Sequence, residues 1–509
     1  MSSRVVVVGA GVGGLAAAID LARAGHRVTL TERFASPGGK MREAHVAGRA
    51  IDVGPTVLTM RWVFDELFQD AGLDLDDRLD LTPATTLARH VWSPSEILEL
   101  YADPERSHEA IAAFAGTQEA RGYARFRKRA KEMYNTLESS FIRAPRPTAI
   151  GLVRRSGGLG GLLTINPFET LWRELGRYFA DPRLRQLFGR YATYCGSSPF
   201  EAPATLMLIA HVELDGVWTI RGGMHQLARA MADLAQALGV STRYRSQVTE
   251  LTLNGDKLSG VVVNDDHWLE ADAVVVNADP SALASGCFGD RIATRFEPLD
   301  RAKRSNSALT WAMLAKADGL ALRRHNVFFG RDYPAEFAEL RAGLIPRDPT
   351  VYVCCQDRSD TEPNPSGAER LFMIMNAPAD GDRNRRGADE LETHRRVMLG
   401  ALRRRGLELV TTGSPEVVTT PSDYAHDFPG VGGALYGAAT HGSRASFQRP
   451  SARTRVEGLY LAGGGCHPGA GVPNSTLSGR LAAQAVIEDL APRRRGFDRF
   501  RDRHPPRSR

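Results

Sequence analysis

Residues 4–33 of this chain, RVVVVGAGVGGLAAAIDLARAGHRVTLTER, decide its fold. The β-branched run 5–8 is typical of a buried parallel strand. A G-x-G-x-x-G motif follows over residues 9–14, then a run of good helix formers and a second apolar run that ends at Glu32. In this order the glycines allow a tight turn, close approach of the backbone to a pyrophosphate and close packing of the helix on the strand. The stretch therefore predicts a strand–helix–strand unit that binds a dinucleotide.

The groups that a dinucleotide needs are also present in this unit. The N-terminus of the predicted helix offers free N–H groups and a partial positive charge to the phosphates. Glu32 lies at the end of the second strand, where a carboxylate accepts hydrogen bonds from ribose hydroxyls. The motif alone leaves open whether the dinucleotide is NAD or FAD.

A signal peptide or a membrane anchor is the alternative interpretation of this stretch, because Arg4 precedes a run without charge up to Ile19. The run is shorter than the roughly 20 apolar residues that span a bilayer. No run of 18 or more apolar residues occurs in the sequence. We therefore expect a protein on the cytoplasmic side whose membrane contact is peripheral.

The net charge of +6 belongs to the C-terminal segment 493–509, which carries eight arginines and two aspartates. The preceding residues carry 57 basic and 57 acidic side chains, so the folded part has no bulk charge that would attract nucleic acid. We expect the tail to be disordered and solvated, or else attracted to anionic lipid headgroups. The five cysteines are scattered without a C-x-x-C pair, so neither a metal site nor a dithiol redox centre is predicted.

Two glycine-containing loops follow the predicted ribose-binding acid. SPGGKM presents Gly39 and Lys40, a flexible backbone beside a cation that suits a phosphate, and DVGPT ends in Pro55 and Thr56. Each loop alone is as typical of an ordinary turn as of a binding site. Their position directly after Glu32 favours contact with the cofactor.

Residues 96–219 are predicted to be mostly helical. An amphipathic stripe with spacings of three and four begins at Tyr123 and ends at Phe141. Such a stripe is more often a core face with a solvated back, although basic residues on the same helix leave a membrane-facing role open. The stretch 143–167, with its SGGLGG, has no clear period and suits a mobile lid or a segment that enters the lipid headgroups.

A second glycine-rich corner lies near the C-terminus. A strand predicted at 459–462 leads into GGGCHPGAGVPNS, and a helix predicted from Ser475 to Leu490 follows. Between the corners, a hairpin around residues 254–255 and a buried strand at 273–276 fit a cofactor domain assembled from separated pieces, with Val248 placed to meet an adenine. Two such corners are the layout of a two-domain flavoprotein rather than of a simple NAD dehydrogenase.

The sequence therefore predicts an α/β fold, α+β overall, built around FAD. Strands predicted at 308–314, 351–355 and 371–376 suit a second, mixed sheet. The predicted parts are a Rossmann-like FAD-binding domain made of discontinuous segments (1–75, 220–290 and 455–492), a mixed-sheet substrate-binding domain (76–95 and 291–454), a helical lid or membrane-facing region (96–219) and a basic disordered tail (493–509).

The ordered set GAGVGG, SPGGKM, DVGPT, RGGMHQLARAM, VVNADP and HPGAGVPNSTLSG is similar to that of the carotenoid desaturases of the bacterial phytoene-desaturase family, over residues 4–490. Within this family, DVGPTVLTMRWVFDELF and DPRLRQLFGRYATYCGSSPFEAP resemble the branch of 1-hydroxycarotenoid 3,4-desaturases, or methoxyneurosporene dehydrogenases. This chain differs from many members of the family at position 474, where it has Asn474 and they have glycine.

The resemblance implies an FAD-dependent desaturase of carotenoid biosynthesis, which introduces a C-3,4 double bond into acyclic 1-hydroxy or 1-methoxy carotenoids by hydride transfer to flavin. It also implies a hydrophobic carotenoid as partner, oxygen or a quinone as electron acceptor, and peripheral attachment to the inner or an intracytoplasmic membrane. The predicted FAD contacts are Gly9, Gly11, Gly13, Gly14, Glu32, Arg33, Gly39, Lys40, Pro55, Thr56, Val248, Gly463, Gly464, Gly471 and Val472.

Little acid–base chemistry is needed for such a reaction, and the sequence has no Ser/His/Asp set. His467, Glu213 and Asp215 are weak catalytic candidates, each more consistent with a structural role. The alternatives on the same scaffold are a phytoene or neurosporene desaturase, a protoporphyrinogen or amine oxidase, and an isoprenoid-binding carrier without catalysis. A nucleic-acid binder that acts through the arginine tail is disfavoured, because the body of the chain is neutral.

Overall fold

The computed structural model describes residues 2–145, 168–360, 364–411 and 415–492. Most of the predicted lid stretch 143–167 and the basic tail 493–509 lie outside the described residues.

Strands and helices alternate through most of the described chain. The strands are β1 (Arg4–Val8), β2 (Arg27–Thr31), β3 (Glu43–Val46), β4 (Arg49–Asp52), β5 (Leu81–Pro83), β6 (Thr86–Ser93), β7 (Glu96–Tyr101), β8 (Trp218–Ile220), β9 (Ser241–Arg243), β10 (Val248–Asn254), β11 (Lys257–Val263), β12 (His267–Glu270), β13 (Ala273–Val276), β14 (Ser307–Gly319), β15 (His325–Phe328), β16 (Val351–Cys355), β17 (Glu369–Ala377), β18 (Leu407–Val410), β19 (Glu416–Thr419) and β20 (Leu459–Leu461). The α-helices are α1 (Val12–Arg23), α2 (Trp62–Asp70), α3 (Pro104–Ala115), α4 (Thr117–Leu137), α5 (Leu171–Leu175), α6 (Pro182–Gly189), α7 (Leu208–Asp215), α8 (His225–Ala237), α9 (Pro280–Ala284), α10 (Asp290–Ala293), α11 (Tyr333–Arg341), α12 (Ala388–Arg403), α13 (Pro421–Asp427), α14 (Ala445–Gln448) and α15 (Val472–Leu490).

The first sheet is parallel, with the strand order β20-β13-β1-β2-β9. Alternate residues of its central strands face opposite sides, and both sides are covered. Val5 and Val275 pack in the core that contains α1, α8 and α15, whereas Val6 and Val274 pack with residues of β10 and β11. Burial on both faces explains why these strands are continuous apolar runs in the sequence.

The segments of this sheet agree closely with the sequence-based elements. β10 and β11 form the predicted antiparallel hairpin, and a third strand that was not predicted, β12, pairs with β11. β12 escaped prediction because three of its four residues are exposed, so it has no apolar pattern. α15 begins at Val472, before the predicted start at Ser475, because Pro473 is compatible with the first turn of a helix.

The second sheet is mixed, as predicted, with the order β18-β14-β17-β16-β15-β6-β7 and with β19 also paired to β14. Its pairs are antiparallel except for the parallel pair of β15 and β6. The hairpin of β6 and β7 runs to Tyr101, so the sheet extends past the boundary predicted at residue 95. The polar residues 93–96 form the turn of this hairpin rather than a domain boundary.

The predicted amphipathic stripe lies on α4 and on the π-helical turn that continues it, Glu138–Ile142. Its members, from Tyr123 to Phe141, are buried, and the Phe126 ring lies 5.5 Å from the ring of Phe179 and 4.7 Å from that of Phe188. The stripe is therefore a core face. Within the described parts of the chain, no helix combines the length and the apolar character needed to cross a bilayer.

Candidate cofactor and substrate site

The first glycine corner joins β1 to α1. Gly9 has a φ of +97°, a conformation that disfavours residues with a side chain. A Cβ on Gly14 would lie 1.9 Å from the Gly9 carbonyl oxygen, so the helix can approach the turn only with glycine there. Gly11 precedes the helix and provides no side-chain cap, which leaves the first turn of α1 open to a ligand.

The second corner brings α15 to the same place. Gly471 precedes α15 with a φ of +103°, again without a side-chain cap, and a Cβ there would meet only open space. A Cβ on Gly479 would lie 1.9 Å from the Gly13 carbonyl oxygen, and one on Gly13 would lie 2.8 Å from the Ser475 carbonyl oxygen. The two helices therefore contact each other through their backbones, and their N-termini converge. Two converging helix N-termini suit the phosphates of a dinucleotide.

Asn277 fixes the first corner from the end of the neighbouring strand β13. In the orientation that directs its amide oxygen toward the backbone N–H groups, it accepts from Gly14 at 3.2 Å and from Gly11 at 3.3 Å. A Cβ on Gly463 of the second corner would lie 2.8 Å from the same side-chain amide. Asn277 thus contacts both corners, a role that sequence reasoning missed.

Glu32 is buried at the end of β2, as the ribose-binding acid is expected to be. Its carboxylate accepts hydrogen bonds from the backbone N–H of Ala10 at 2.7 Å and of Phe34 at 2.8 Å. Burial raises the pKa of this carboxyl, and the two N–H donors oppose that shift. The start of β10, where Val248 lies, is adjacent, because Ser246 N–H donates to the Glu32 carbonyl at 2.8 Å.

The loop that contains Lys40 packs onto the first corner. Gly38 N–H donates to the Ala10 carbonyl at 2.9 Å, and a Cβ on Gly39 would lie 3.4 Å from the Gly11 Cα. The Lys40 ammonium donates to the Leu435 carbonyl at 2.5 Å, and burial lowers its pKa to about 8.

Arg33 has protein partners in the structure. Its guanidinium donates to the carbonyls of His426 at 3.2 Å and Asp427 at 3.3 Å, at the end of α13. Its predicted contact with the cofactor therefore stays a prediction.

Asp52 and Thr56 join the cofactor side to the substrate sheet. The Asp52 carboxylate accepts from the Met224 N–H at 2.6 Å and the His225 N–H at 3.3 Å, at the start of α8. The Thr56 hydroxyl lies 2.7 Å from the hydroxyl of Tyr352, which is on β16. The DVGPT loop is therefore held between the two sheets.

A polar cluster lies beyond Tyr352, in the interior. Five of its side chains lie deep in the molecule and are only partly covered, so open space adjoins them, and we refer to this space as the cavity. These are Arg190, Tyr194, Glu213, Tyr352 and Tyr436. Because the cavity adjoins the DVGPT loop, it is the candidate substrate site.

The three catalytic candidates are engaged separately. His467 Nε2 contacts the Ala144 carbonyl at 2.8 Å, and burial lowers the pKa of this histidine to about 4, so it is neutral. Glu213 accepts hydrogen bonds from Tyr191 at 2.6 Å and Tyr194 at 3.0 Å. Asp215 is exposed at the end of α7. The structure does not bring the three together as acid–base machinery.

The chain matches the profile of the family Flavin containing amine oxidoreductase over residues 12–487. It belongs to this family. The hydroxyneurosporene desaturase of Rubrivivax gelatinosus is 48% identical to it over 491 residues, which cover 96% of this chain and 94% of that protein. The hydroxyneurosporene desaturase of Cereibacter sphaeroides is 46% identical, with coverage of 97% and 99%. These relatives confirm the resemblance to carotenoid desaturases.

Solved structures share the fold at low identity. An oxidoreductase from Methanosarcina mazei superposes with a TM-score of 0.60 at 17% identity, over 95% of this chain and 100% of that chain. Putrescine oxidase bound to putrescine gives a TM-score of 0.59 at 15% identity, over 97% and 100%. With the family membership and the two open helix N-termini, FAD is the cofactor, and the chain is an FAD-dependent oxidoreductase.

Sequence reasoning found the glycine corners and, in the polar cluster, Glu213, but it missed Asn277 and Arg190. The sequence did contain a signal for Asn277. It directly follows the buried strand β13, and dinucleotides bind at the carboxyl ends of the strands in such a sheet. Arg190 lies in the DPRLRQLFGRYATYC stretch that carries the resemblance, but a sequence pattern cannot show that it faces a cavity.

Replacing Asn277 tests the first corner. Asn277→Ala removes the acceptor that holds the N–H groups of Gly11 and Gly14, so the turn that meets the pyrophosphate loses its fixed geometry, and we expect the affinity for FAD to fall about tenfold. Titration of the FAD-free protein by flavin fluorescence measures this. Asn254→Ala, at the exposed end of β10, is the matched control. Equal affinities of both variants would contradict the role of Asn277.

Replacing Glu336 of α11 tests whether burial raises the pKa of this carboxyl. Burial raises its pKa from 4.5 to about 7, so the folded state binds a proton more tightly than the unfolded state, and stability falls as pH rises from about 4.5 to 7. Glu336→Gln removes this loss. We expect the difference in unfolding free energy between this variant and wild type to shift by about 3 kcal/mol in favour of the variant as the pH rises from 4.5 to 7.

Urea unfolding at pH 4.5 and pH 7.5 measures the difference, with the exposed Glu392→Gln as control. A gap between wild type and Glu336→Gln that is the same at both pH values is inconsistent with the raised pKa.

Proposed function

We propose that this chain is a carotenoid desaturase that introduces the C-3,4 double bond into acyclic 1-hydroxy or 1-methoxy carotenoids. The observation that carries the proposal is the identity of 48% and 46%, over nearly the whole chain, to two hydroxyneurosporene desaturases. A 1-hydroxycarotenoid 3,4-desaturase of Flavobacterium is also related, at 29% identity over 95% of this chain. The cavity supports it as well, because polar groups occur in its interior beside the cofactor loop.

The reaction removes two protons and two electrons, as one hydride and one proton, from a CH2–CH2 unit. Bound FAD supplies the acceptor for one hydrogen as hydride, and the other hydrogen leaves an allylic carbon as a proton. The protein's part is to bind the chain, align the reacting bond and exclude water. The neutral His467 and the doubly hydrogen-bonded Glu213 agree with a site that provides positioning rather than a strong general base.

Electrons then leave the reduced protein, and we propose oxygen or a quinone as the acceptor. We also propose peripheral attachment to the cytoplasmic face of the inner or an intracytoplasmic membrane, since a carotenoid is delivered from lipid. Flotation of the purified protein with liposomes of bacterial lipid tests this. Recovery of the protein in the lipid-free fraction would overturn the attachment.

Expression in a host that accumulates 1-hydroxylated acyclic carotenoids tests the proposed reaction. We expect a pigment that has lost two hydrogens and gained one conjugated double bond at C-3,4, identified by absorption and mass spectrometry. Gly14→Val is the inactive control, because its side chain would enter the Gly9 carbonyl. Conversion of phytoene alone, or oxidation of amines with carotenoids unchanged, would replace the proposal with the corresponding alternative.

A further inference from the structure

The Arg190 side chain lies in the interior, and its guanidinium has few hydrogen-bond partners. It begins the 3₁₀ turn Arg190–Cys195 after α6, and its Nη1 donates to the Tyr194 hydroxyl at 3.1 Å. No carboxylate oxygen of the described residues lies within 4.0 Å of its nitrogens. A guanidinium carries five N–H groups. Most of the Arg190 donors therefore have no acceptor among the described residues.

The unpaired donors face the cavity. Arg190 lies deep but is only half-buried, and none of its nitrogens is both fully covered and unpaired. Arg405 shows the contrast, because it is 2% exposed and its guanidinium donates to the Ala401 carbonyl at 2.9 Å and to Asp348. A guanidinium removed from water without acceptors is costly. The free side of Arg190 is thus suited to a ligand that brings an acceptor oxygen.

Neighbouring side chains hold this guanidinium in one orientation. The Tyr194 hydroxyl accepts from Arg190 and donates to Glu213 at 3.0 Å. The guanidinium carbon lies 5.2 Å from the ring centre of Tyr194 and 5.5 Å from that of Tyr352. Stacked rings and a fixed hydroxyl pre-organise the donors, so little conformational freedom is lost when a ligand binds.

Arg190 is linked to the cofactor loop through one side chain. Tyr352, against which it packs, is hydrogen-bonded to Thr56 at 2.7 Å, and Thr56 directly follows Gly54-Pro55. In the proposed reaction, the carbon that bears the oxygen is only two bonds from C-3, one end of the bond that is oxidised. The group that binds this oxygen must therefore lie beside the flavin rather than at the far end of a long tunnel.

We propose that Arg190 is the specificity-determining residue of this enzyme and donates hydrogen bonds to the oxygen at C-1 of the substrate. The inference rests on the proposed function and specifies its substrate contact. Because arginine only donates, it binds a hydroxyl and a methoxy oxygen alike. A hydrocarbon end leaves the guanidinium without an acceptor, and sites built around a polar group of the substrate reject analogues that lack it.

Steady-state kinetics on a 1-hydroxylated acyclic carotenoid and on its unsubstituted parent, in detergent, test the assignment. For Arg190→Met we expect kcat/KM on the hydroxylated substrate to fall about 10- to 100-fold, mostly through KM, while the parent is converted as fast as by wild type or faster. Arg190→Lys restores part of the preference. Arg183→Met, in the first turn of the preceding helix α6, is the control, since that side chain pairs with Asp181 and Glu96.

FAD content, read from the visible spectrum, reports folding of each variant. Should Arg190→Met lose its FAD, Tyr194→Phe carries the test, with a smaller loss of the same preference. Equal losses on both substrates, or an intact preference for the hydroxylated one, overturn the assignment and leave the proposed function standing. If the wild-type protein converts neither substrate, both the assignment of Arg190 and the proposed function are wrong. If reoxidation by a quinone falls while the preference persists, Arg190 serves the electron acceptor and the assignment is wrong.

Discussion

The contact between the backbones of α1 and α15 is the constraint on which the rest of the structure depends. Gly479 must lack a side chain because the Gly13 carbonyl oxygen occupies that space. The first turn of α1 therefore packs against the first turns of a helix that begins 460 residues later in the chain. Neither helix N-terminus is capped by a side chain of its preceding glycine. Apart from the Gly14 N–H, for which Asn277 is the acceptor, the N–H groups of these first turns are left for a charged cofactor.

From this point the cofactor side is joined to the substrate side through a short series of polar contacts. Asp52 accepts hydrogen bonds at the start of α8 on the cofactor side, and its own N–H donates to the side chain of Gln356, which follows β16. Thr56 reaches Tyr352 on that strand. These hydrogen bonds hold the DVGPT loop against α8 on one side and against β16 and the residue that follows it on the other.

Much of this arrangement is present in local sequence. The glycine corners, the acid Glu32 and the strands of both sheets are determined by neighbours in the chain, such as a β-branched run before a glycine. Asn277 and Arg190 differ, because their roles come from residues far away in sequence. The amide of Asn277 meets Gly11 across 266 positions, and Arg190 meets Tyr352 across 162. Strand register and helix packing determine which distant residues meet, and the hydrophobic periodicity of the sequence contains no information on such pairs.

Burial also fixes the protonation state of the titratable groups around Arg190. Burial lowers the pKa of His90 and His325 to about 3, so both rings are neutral at physiological pH. It raises the pKa of the Tyr352 hydroxyl, which therefore keeps its proton. Arg190 remains charged, with Glu213 opposite it across the Tyr194 hydroxyl. In the proposed function, an apolar chain with one oxygen meets a fixed guanidinium, with the Glu213 carboxyl behind the Tyr194 hydroxyl, and the oxygen orients the chain.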